Sequence, residues 1–514
     1  MMDIPPNDDR NDNGVGEKPL PPVNPLAHTI PHWYQFTQRI KLFPWWIRYN
    51  IGIAKEAVMK EKIIELGASV GMQDRWLKRI IQHAVSEFSK KGLGSDYYGY
   101  HNIDHELEAT YFTLLAASGQ KEKNQLSKDD ITYLFISALF HDYDPLKEFD
   151  KPNEDAVEWF IRNDSKIKKF ISDTGLDTDI VIAIIHRTAY PFRGEIAEHA
   201  RSRMQELFTR AGILEDDVKT RKHYEDLGWF LSVAERVAGY ALGSFEHSKE
   251  LARRNAHALG WHPSLINEES VKYFSMFKEE NEMFERVMQG VPEEYRKRFL
   301  DNVQAFREAW MEEMNVRNSI DRKELKLMSK VEEIKDVLDP YVRESIWNLY
   351  KELPVPVRID EEKFRRSLFD KDTILVTLRI GGEDGKIVGY AKGGLLENYK
   401  LRRGTQDENM GKKNTVYLEN ISIKPGYWGG TGGHLLRLHF LNEVKRRGYR
   451  YVTAYVHRNV IMHRINSGES IEIVQKYDPD KLDYYRHDLS TIKEDPLKSK
   501  MTTNVSETNF EGHV

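Results

Sequence analysis

From about residue 50 to 310, apolar residues recur three and four positions apart, the period of a helix with one buried face. The segments IGIAKEAVMKEKIIELGA, QDRWLKRIIQHAVSEFSKKG, ITYLFISALF, DAVEWFIRN and ERVMQGVPEEYRKRFLDNVQAFREAWMEEM carry this pattern, and strand-like alternation is scarce. A charge-rich stretch, KELKLMSKVEEIKDVLDPYVRESIWNLYKEL, continues the helical reading as a connector. After Pro354 the pattern changes. TILVTLRI, KIVGYAKGG, NTVYLENISI and YRYVTAYVH are rich in β-branched and aromatic residues and read as strands. One helix, GGHLLRLHFLNEVKRRG, separates the last two. The predicted fold class is multidomain: an all-α domain followed by an α/β (α+β) domain. The predicted boundaries are an arm over 1–28, a helical domain over 29–315, a helical connector over 316–353, a mixed domain over 354–492 and a polar tail over 493–514.

Composition narrows the chemistry. At 514 residues with 40% hydrophobic and 31% charged positions, the chain can bury more than one core. Lys plus Arg number 76 against 81 Asp plus Glu, a formal charge of −5. That balance argues against a general polyanion surface, so no nucleic-acid partner is expected despite the local patch Lys445, Arg446, Arg447 and Arg450. There are no cysteines. Disulfides, thiolate metal sites and cysteine acyl-enzymes are therefore excluded, and any metal must rest on nitrogen and oxygen ligands. The start, MMDIPPNDDRNDNGVGEKPLPPVNP, lacks the basic and apolar order of a signal peptide, and no run reaches the roughly 20 apolar residues of a membrane span. A cytoplasmic location is the expectation.

Histidines and acids are placed unevenly in the helical part. His101 and His105 are four apart and share a helix face. His141 and Asp142 follow an apolar run, His186 ends another, and Glu235 lies inside a mostly apolar helix, where an acid is costly unless paired or coordinated. Helix caps, terminal polar pairs and a Glu235–Arg236 pairing would also account for these residues.

The order of these pieces resembles the HD superfamily of metal-dependent phosphohydrolases, and YHNIDH resembles a signature of its cyclic-nucleotide phosphodiesterases. The resemblance spans about residues 80–250. It implies a divalent metal (Mg, Mn, Fe or Zn) held by His105, His141, Asp142 and Glu235, with Asp226 as an alternative last ligand. It implies His186 at a second metal or a substrate phosphate, and His101 as proton donor to the leaving oxygen. Lys147, Arg187 and Arg193 are candidate phosphate contacts. The sequence departs from the phosphodiesterases where Tyr143-Asp144-Pro145 follows the HD pair. Glutamate at 235 is a further departure. The implied partner is a phosphorylated or nucleotide-like small molecule. Oxidative diiron chemistry and metal or ligand sensing are the alternatives.

In VYLENISIKPGYWGGTGGHLLRLHFLNEVKRRGY a strand ends near Ile423, a glycine-rich turn follows and a helix begins near Gly432. Amides at such a helix start can bind phosphate oxygens. The loop lacks the lysine of a Walker A motif. This region resembles the coenzyme-A loop of the GNAT acyltransferases. The resemblance covers about 355–490. It implies a pyrophosphate cradle at Trp428, Gly429, Gly430, Thr431, Gly432 and Gly433 beside Ile423, with Asn459 on the cofactor arm. The usual Arg or Gln of that loop is replaced by Tyr427 or Trp428, depending on register. Glu419 matches a general-base position, and Tyr485, Tyr477 or Tyr484 would protonate the leaving thiolate. The expected function is therefore a bifunctional enzyme: a metal-dependent phosphohydrolase joined to an N-acyltransferase using acetyl-CoA or another acyl-CoA on an amine acceptor. Its alternative is a regulatory helical module attached to the transferase.

Overall fold

The computed structural model describes residues 53–91, 100–123, 125–145, 152–256, 259, 261, 265–277, 279–334, 339–353, 361–402, 404–427, 432–477 and 482–491. The expected arm and tail, Lys147 and the turn residues Trp428, Gly429, Gly430 and Thr431 lie outside the described residues.

Thirteen helices precede the first strand among the described residues. They are α1 (Ile53–Ser69), α2 (Asp74–Lys91), α3 (Ile103–Glu122), α4 (Lys128–Phe140), α5 (Glu154–Asn163), α6 (Ser165–Thr174) and α7 (Thr178–His186). Then come α8 (Gly194–Arg210), α9 (Val218–Leu242), α10 (Phe245–Asn255), α11 (Ile266–Met276), α12 (Asn281–Gly290) and α13 (Glu293–Asp321). Several starts are set by side-chain caps. Asn102, Ser127, Asn153, Asp164, Asp177 and Asp217 each accept from amides of the following turn. One continuous apolar core joins α1–α13, with Phe112, Phe135, Phe140, Phe208, Phe230 and Phe306 fully enclosed. Each such ring contributes about 2–3 kcal/mol on leaving water. α3 runs through its centre, buried nearly all round, as its apolar and small residues allow. It meets α12 at a pair of glycines. A Cβ at Gly119 would stand 2.1 Å from the Gly290 carbonyl oxygen, so only glycine permits this crossing.

The second part is built on a seven-stranded sheet in the order β1-β2-β3-β4-β5-β7-β6. Its strands are β1 (Leu327–Val331), β2 (Ile374–Ile380), β3 (Lys386–Leu395), β4 (Thr415–Ile423), β5 (Tyr451–His457), β6 (Ile471–Gln475) and β7 (Leu482–Asp488). Helices α14 (Pro340–Lys351) and α15 (Glu361–Ser367) lie between β1 and β2, α16 (Gly432–Arg446) between β4 and β5, and α17 (Arg458–Asn466) between β5 and β6. β1 corrects the sequence expectation. It falls inside the stretch read as a helical connector, yet it pairs antiparallel with β2 from Leu327↔Ile380 to Val331↔Val376. LMSKV is five residues long and alternates weakly, so its charged neighbours dominated the pattern. The helix α14, read as connector, packs on the sheet as well: Val342, Ile346, Leu349 and Tyr350 join Phe364, Leu375, Ile387 and Tyr390 in one core. The opposite face is covered by Leu436, Phe440, Leu441 and Val444 of α16 and Ile461 of α17. Covered on both faces, β2 and β3 read as continuous apolar runs.

Candidate functional site

Two places gather chemistry. In the helical part, the segment YHNIDH is a helix start. Asn102 caps α3, its Oδ1 accepting from the Asp104 amide (2.9 Å) and the His105 amide (3.2 Å). This fixes His101 just before the helix and His105 in its first turn. The apolar helix α4 ends by delivering His141 and Asp142. α9, a 25-residue helix, brings Glu235 from the far side.

These five residues converge. Asp142 Oδ2 lies 3.2 Å from His105 Nε2, 3.3 Å from His141 Nε2 and 3.9 Å from His101 Nε2. Glu235 Oε2 lies 3.9 Å from His105 Nε2 and 4.0 Å from His141 Nε2. Ligand atoms of His105, His141 and Glu235 all fall within 4.8 Å of one another. Burial pushes the Glu235 carboxyl up to about 7, against the pull of His141. Burial alone would also raise Asp142, but His141 and His101 outweigh it and hold that carboxyl well below its ordinary range. His105 and His141 are driven down by burial and, more strongly, up by the facing carboxylates.

A residue that sequence reasoning missed orders the cluster. Glu106, fully buried, places Oε2 3.1 Å from His141 Nδ1, while its Oε1 accepts the Asp142 amide at 3.1 Å. The Ala138 carbonyl is also 2.9 Å from His141 Nδ1. Nδ1 thus faces the Ala138 carbonyl and the Glu106 carboxylate, and Nε2 faces Asp142 and Glu235. That buried Nε2 makes no hydrogen bond. The only signal in the sequence was an acid directly after His105. Tyr100 lies against His105, ring centroids 4.5 Å apart.

Two expected residues are not brought to this centre. His186 ends α7 and meets Glu158, with Nε2 3.1 Å from Oε2. Glu158 also accepts from Arg162 (2.7 Å) and Arg203 (2.9 Å), and ligand atoms of Asp155, Glu158 and His186 fall within 4.8 Å of one another, apart from the first centre. Asp226 precedes Glu235 by nine residues, which on an α-helix is the opposite face. It pairs there with Lys222 at 2.7 Å. Of the phosphate candidates, Arg187 is buried and Arg193 exposed.

In the sheet part, the site is made by backbone. β4 and β5 run parallel but pair over three residues only, Thr415↔Tyr451, Val416↔Val452 and Tyr417↔Thr453. Directly beyond, β4 carries a bulge. Gly393 of β3 faces Leu418 and Lys392 faces Asn420, leaving Glu419 as the extra residue. A bulge bends its strand and raises the local twist. β4 thereafter follows β3 to Gly389↔Ile423, while β5 follows β7 to His457↔Leu482. Between them, the inner edges of 418–423 and 454–457 carry no strand pairing to one another among the described residues. α16 begins at Gly432 at the carboxyl end of β4. α17, with exposed Asn459 in its first turn, begins at the same end of β5. The crevice beyond the carboxyl ends of parallel strands is the usual ligand position in such sheets. A Cβ at Gly432 would stand 2.9 Å from Leu378 Cδ2, whereas Gly433 is less crowded and Ile423 is buried beside it.

Glu419 is enclosed. Its Oε2 pairs with Lys392 Nζ and accepts from the Tyr399 hydroxyl at 3.2 Å, while Oε1 makes no hydrogen bond. Lys392, with no exposed surface, was missed although a lysine inside the apolar strand KIVGYAKGG signals a buried acid partner. Tyr485 is also buried, in the core beneath α16 and α17, and its hydroxyl accepts from Arg464 at 3.4 Å. Tyr484 donates to Asp407 (2.7 Å) and Tyr477 bonds Thr405, both on the other face. The three tyrosines are therefore not equivalent alternatives. All are engaged in side-chain contacts.

No described helix is long and apolar enough to cross a membrane. No family model matches the chain, and no curated protein does. Solved acetyltransferase structures match about a third of it. A GNAT family N-acetyltransferase from Escherichia coli in complex with CoA is 14% identical, covering 32% of this chain and 82% of its own, with a TM-score of 0.23. The ribosomal-protein-S18-alanine N-acetyltransferase from Escherichia coli is 16% identical over 32% and 97%, with a TM-score of 0.21. An N-acetyltransferase from Staphylococcus aureus is 16% identical over 32% and 99%, with a TM-score of 0.20.

Proposed function

We propose that the sheet part is an N-acyltransferase that takes its acyl group from acetyl-CoA or another acyl-CoA and passes it to an amine. The observation that carries this reading is the separation of β4 from β5 at the Glu419 bulge, next to a helix beginning in a glycine-rich turn. An extended amide-containing arm matches the unpaired strand edges as a strand would. A pyrophosphate suits the amides of the α16 start at Gly432 and Gly433, with Trp428, Gly429, Gly430 and Thr431 completing the turn. Asn459 is available to the arm. Acyl transfer requires the acceptor ammonium to lose a proton. Glu419 Oε1 is the candidate acceptor of that proton, held in place by Lys392 and Tyr399. The amine nitrogen then forms the C–N bond as the C–S bond breaks, and the thiolate takes a proton. Tyr485, buried beneath α16 and α17 with its hydroxyl accepting from Arg464, remains the candidate donor of that proton. Titration calorimetry with CoA, and thiol release from acetyl-CoA across an amine panel, test the proposal. Gly432→Val is expected to abolish CoA binding. CoA binding unchanged in that variant, or no thiol release with any amine, overturns it.

A second reading has its own observation. The convergence of His105, His141, Asp142 and Glu235 around an unbonded buried His141 Nε2 fits a divalent cation and supports a metal-dependent phosphohydrolase activity on a phosphorylated or nucleotide-like small molecule. A metal bound there lowers the pKa of its water and neutralises phosphate oxygens. His101, 3.9 Å from Asp142, is the candidate to hold a proton for a departing oxygen. Elemental analysis of protein purified without chelators tests it. About one ion or more per chain is expected, lost in Asp142→Ala. Wild-type protein without metal after incubation with Mg, Mn, Fe and Zn excludes it.

A further inference from the structure

The bulge that singles out Glu419 also turns its neighbour. Along β4, Leu418, Ile421 and Ile423 all pack in the core beneath α16. In a regular strand Leu418 and Ile421, three apart, would point to opposite faces. The extra residue puts them on one face, so Glu419 and Asn420 both stand on the other. β3 contributes to that second face. Lys392 lies directly across from Asn420, and Tyr390, two residues earlier, points the same way. The Lys392 ammonium is 4.9 Å from the centre of the Phe364 ring, and Tyr390 packs in one core with Phe364 and Tyr350. Tyr390, Lys392, Glu419 and Asn420 thus meet on the face of the sheet that α14 and α15 cover.

Their hydrogen bonding is unevenly completed. Lys392 and the Tyr399 hydroxyl both engage Glu419 Oε2. Glu419 Oε1, both amide atoms of Asn420 and the Tyr390 hydroxyl are buried and make no hydrogen bond. Tyr390 has no exposed surface, and its hydroxyl lies beside the Asn420 amide and the Glu419 carboxylate, yet no bond of ordinary geometry joins them. A buried polar atom without a partner is costly, and here such atoms cluster. Other enclosed groups of this sheet are paired, as Tyr484 is with Asp407 and Thr377 with Glu332. The cluster borders the separated edge of β4, where Asn420 and Ile421 are only half-buried and carry no pairing to β5 among the described residues.

The unpartnered atoms have a definite polarity. Glu419 Oε1 can only accept. The Asn420 amide offers one acceptor and one donor, whichever way it is turned. The Tyr390 hydroxyl stays protonated, because burial and the Glu419 charge push its pKa well above the ordinary value, and it can donate. Two acceptors suit an ammonium, and two donors suit a carbonyl oxygen close to it.

We infer that the acceptor substrate of the sheet part is an α-amino carbonyl compound, an amine with a carbonyl on the adjacent carbon, as in an amino-acid amide or a peptide N-terminus, and that Asn420 and Tyr390 select it. This rests on the acyltransferase reading and adds its substrate class. The ammonium donates to Glu419 Oε1 and Asn420 Oδ1, while the carbonyl oxygen accepts from Asn420 Nδ2 and the Tyr390 hydroxyl. Once Glu419 has taken a proton, Asn420 still holds the nitrogen, whose lone pair attacks the thioester carbon. The C–N bond forms, the C–S bond breaks, and its electron pair leaves on sulfur, which takes a proton.

Thiol release from acetyl-CoA by the full chain, with glycinamide and with propylamine at equal concentrations of free amine, tests the inference. kcat/KM is expected to favour glycinamide about 100-fold or more, since propylamine leaves both donors unpaired. Tyr390→Phe and Asn420→Leu, each close in volume to the native side chain, are expected to narrow that preference about tenfold by raising KM for glycinamide. Thermal unfolding reports whether each variant keeps its fold, and Tyr390→Phe decides alone where Asn420→Leu does not. Propylamine turned over as well as glycinamide overturns the inference and leaves the acyltransferase reading standing. So does an equal change for both amines in the variants, which is what a purely structural role would give. No thiol release with any amine overturns both.

Discussion

Glu235 and Glu419 are both glutamates enclosed by their folds, one in each part of the molecule, and their surroundings differ in kind. Glu235 faces histidines, whose charge depends on protons, and its carboxyl is pushed up to about 7. Glu419 faces Lys392, an ammonium with no exposed surface, and the Tyr399 hydroxyl. The first environment carries a charge that its own protons can change. The second already has its cation and holds a carboxylate in one position. A buried acid among imidazoles keeps a charge that depends on their protons, and a buried acid on a lysine keeps a fixed partner.

The comparison breaks first at Lys392. Lys392→Met leaves Glu419 enclosed without its cation, and denaturant unfolding is expected to show a loss of about 3–5 kcal/mol. Adding Glu419→Gln should recover most of it. A loss below about 1 kcal/mol in the single variant would mean that the pair is not the fixed one described.

On the histidine side, the sharper probe is Glu106 rather than a ligand. Glu106→Gln keeps the volume but removes the negative charge that faces His141 Nδ1. Metal affinity, measured by competition with a chromophoric chelator, is expected to fall about 10–100-fold. An unchanged affinity would place His141 outside any metal shell.

The two parts also differ in how far the sequence discloses them. The gathering of histidines and acids was legible because its side chains are unusual for their setting: His141 and Asp142 end an apolar run, and Glu235 interrupts one. Which acid closes the cluster was not legible from composition. Helix phase separates Asp226 from Glu235 by half a turn, and only the packing of α9 against α3 says which side faces inward. His186 carried the same signal as His141 and lies with Glu158 in a separate group, a placement that the sequence pattern does not disclose. In the sheet part the strands from 374 onward were legible by composition, and β1 was not, since five weakly alternating residues cannot outvote a charged neighbourhood. The strand separation was invisible altogether. It depends on one extra residue in the β3–β4 register, a property of pairing rather than of residue type.

The two parts meet at Gly426, in the turn leaving β4, which packs on α13. Gly426 adopts φ +86°, and a Cβ there would stand 3.0 Å from Glu313 Cα. Gly426→Ala is expected to cost about 1–3 kcal/mol through backbone strain and to weaken CoA binding by displacing the turn. Calorimetric titration with CoA, beside thermal unfolding, separates the two effects. Lost stability with unchanged CoA affinity would mean that α13 supports the sheet part without positioning its glycine turn.

Glu313 itself gives the smallest and most specific effect. Burial pushes its carboxyl from 4.5 up to about 7, against the hydrogen bond from Asn267 (2.5 Å) and the charges of Lys249 and Arg317. The folded state therefore holds this proton more tightly than the unfolded chain. The associated stability is complete below about pH 4.5 and is lost as pH rises through about 7. Because the Asn267 hydrogen bond and the charges of Lys249 and Arg317 offset part of the burial, the change is expected to be about 1 kcal/mol. Glu313→Gln, which cannot titrate, should remove that part of the slope between pH 5 and 7.5 in unfolding experiments while leaving the rest of the profile in place. An identical slope in the variant would show that Glu313 is ionised at the junction throughout this range, and that α13 meets the glycine turn with a charge rather than a neutral acid.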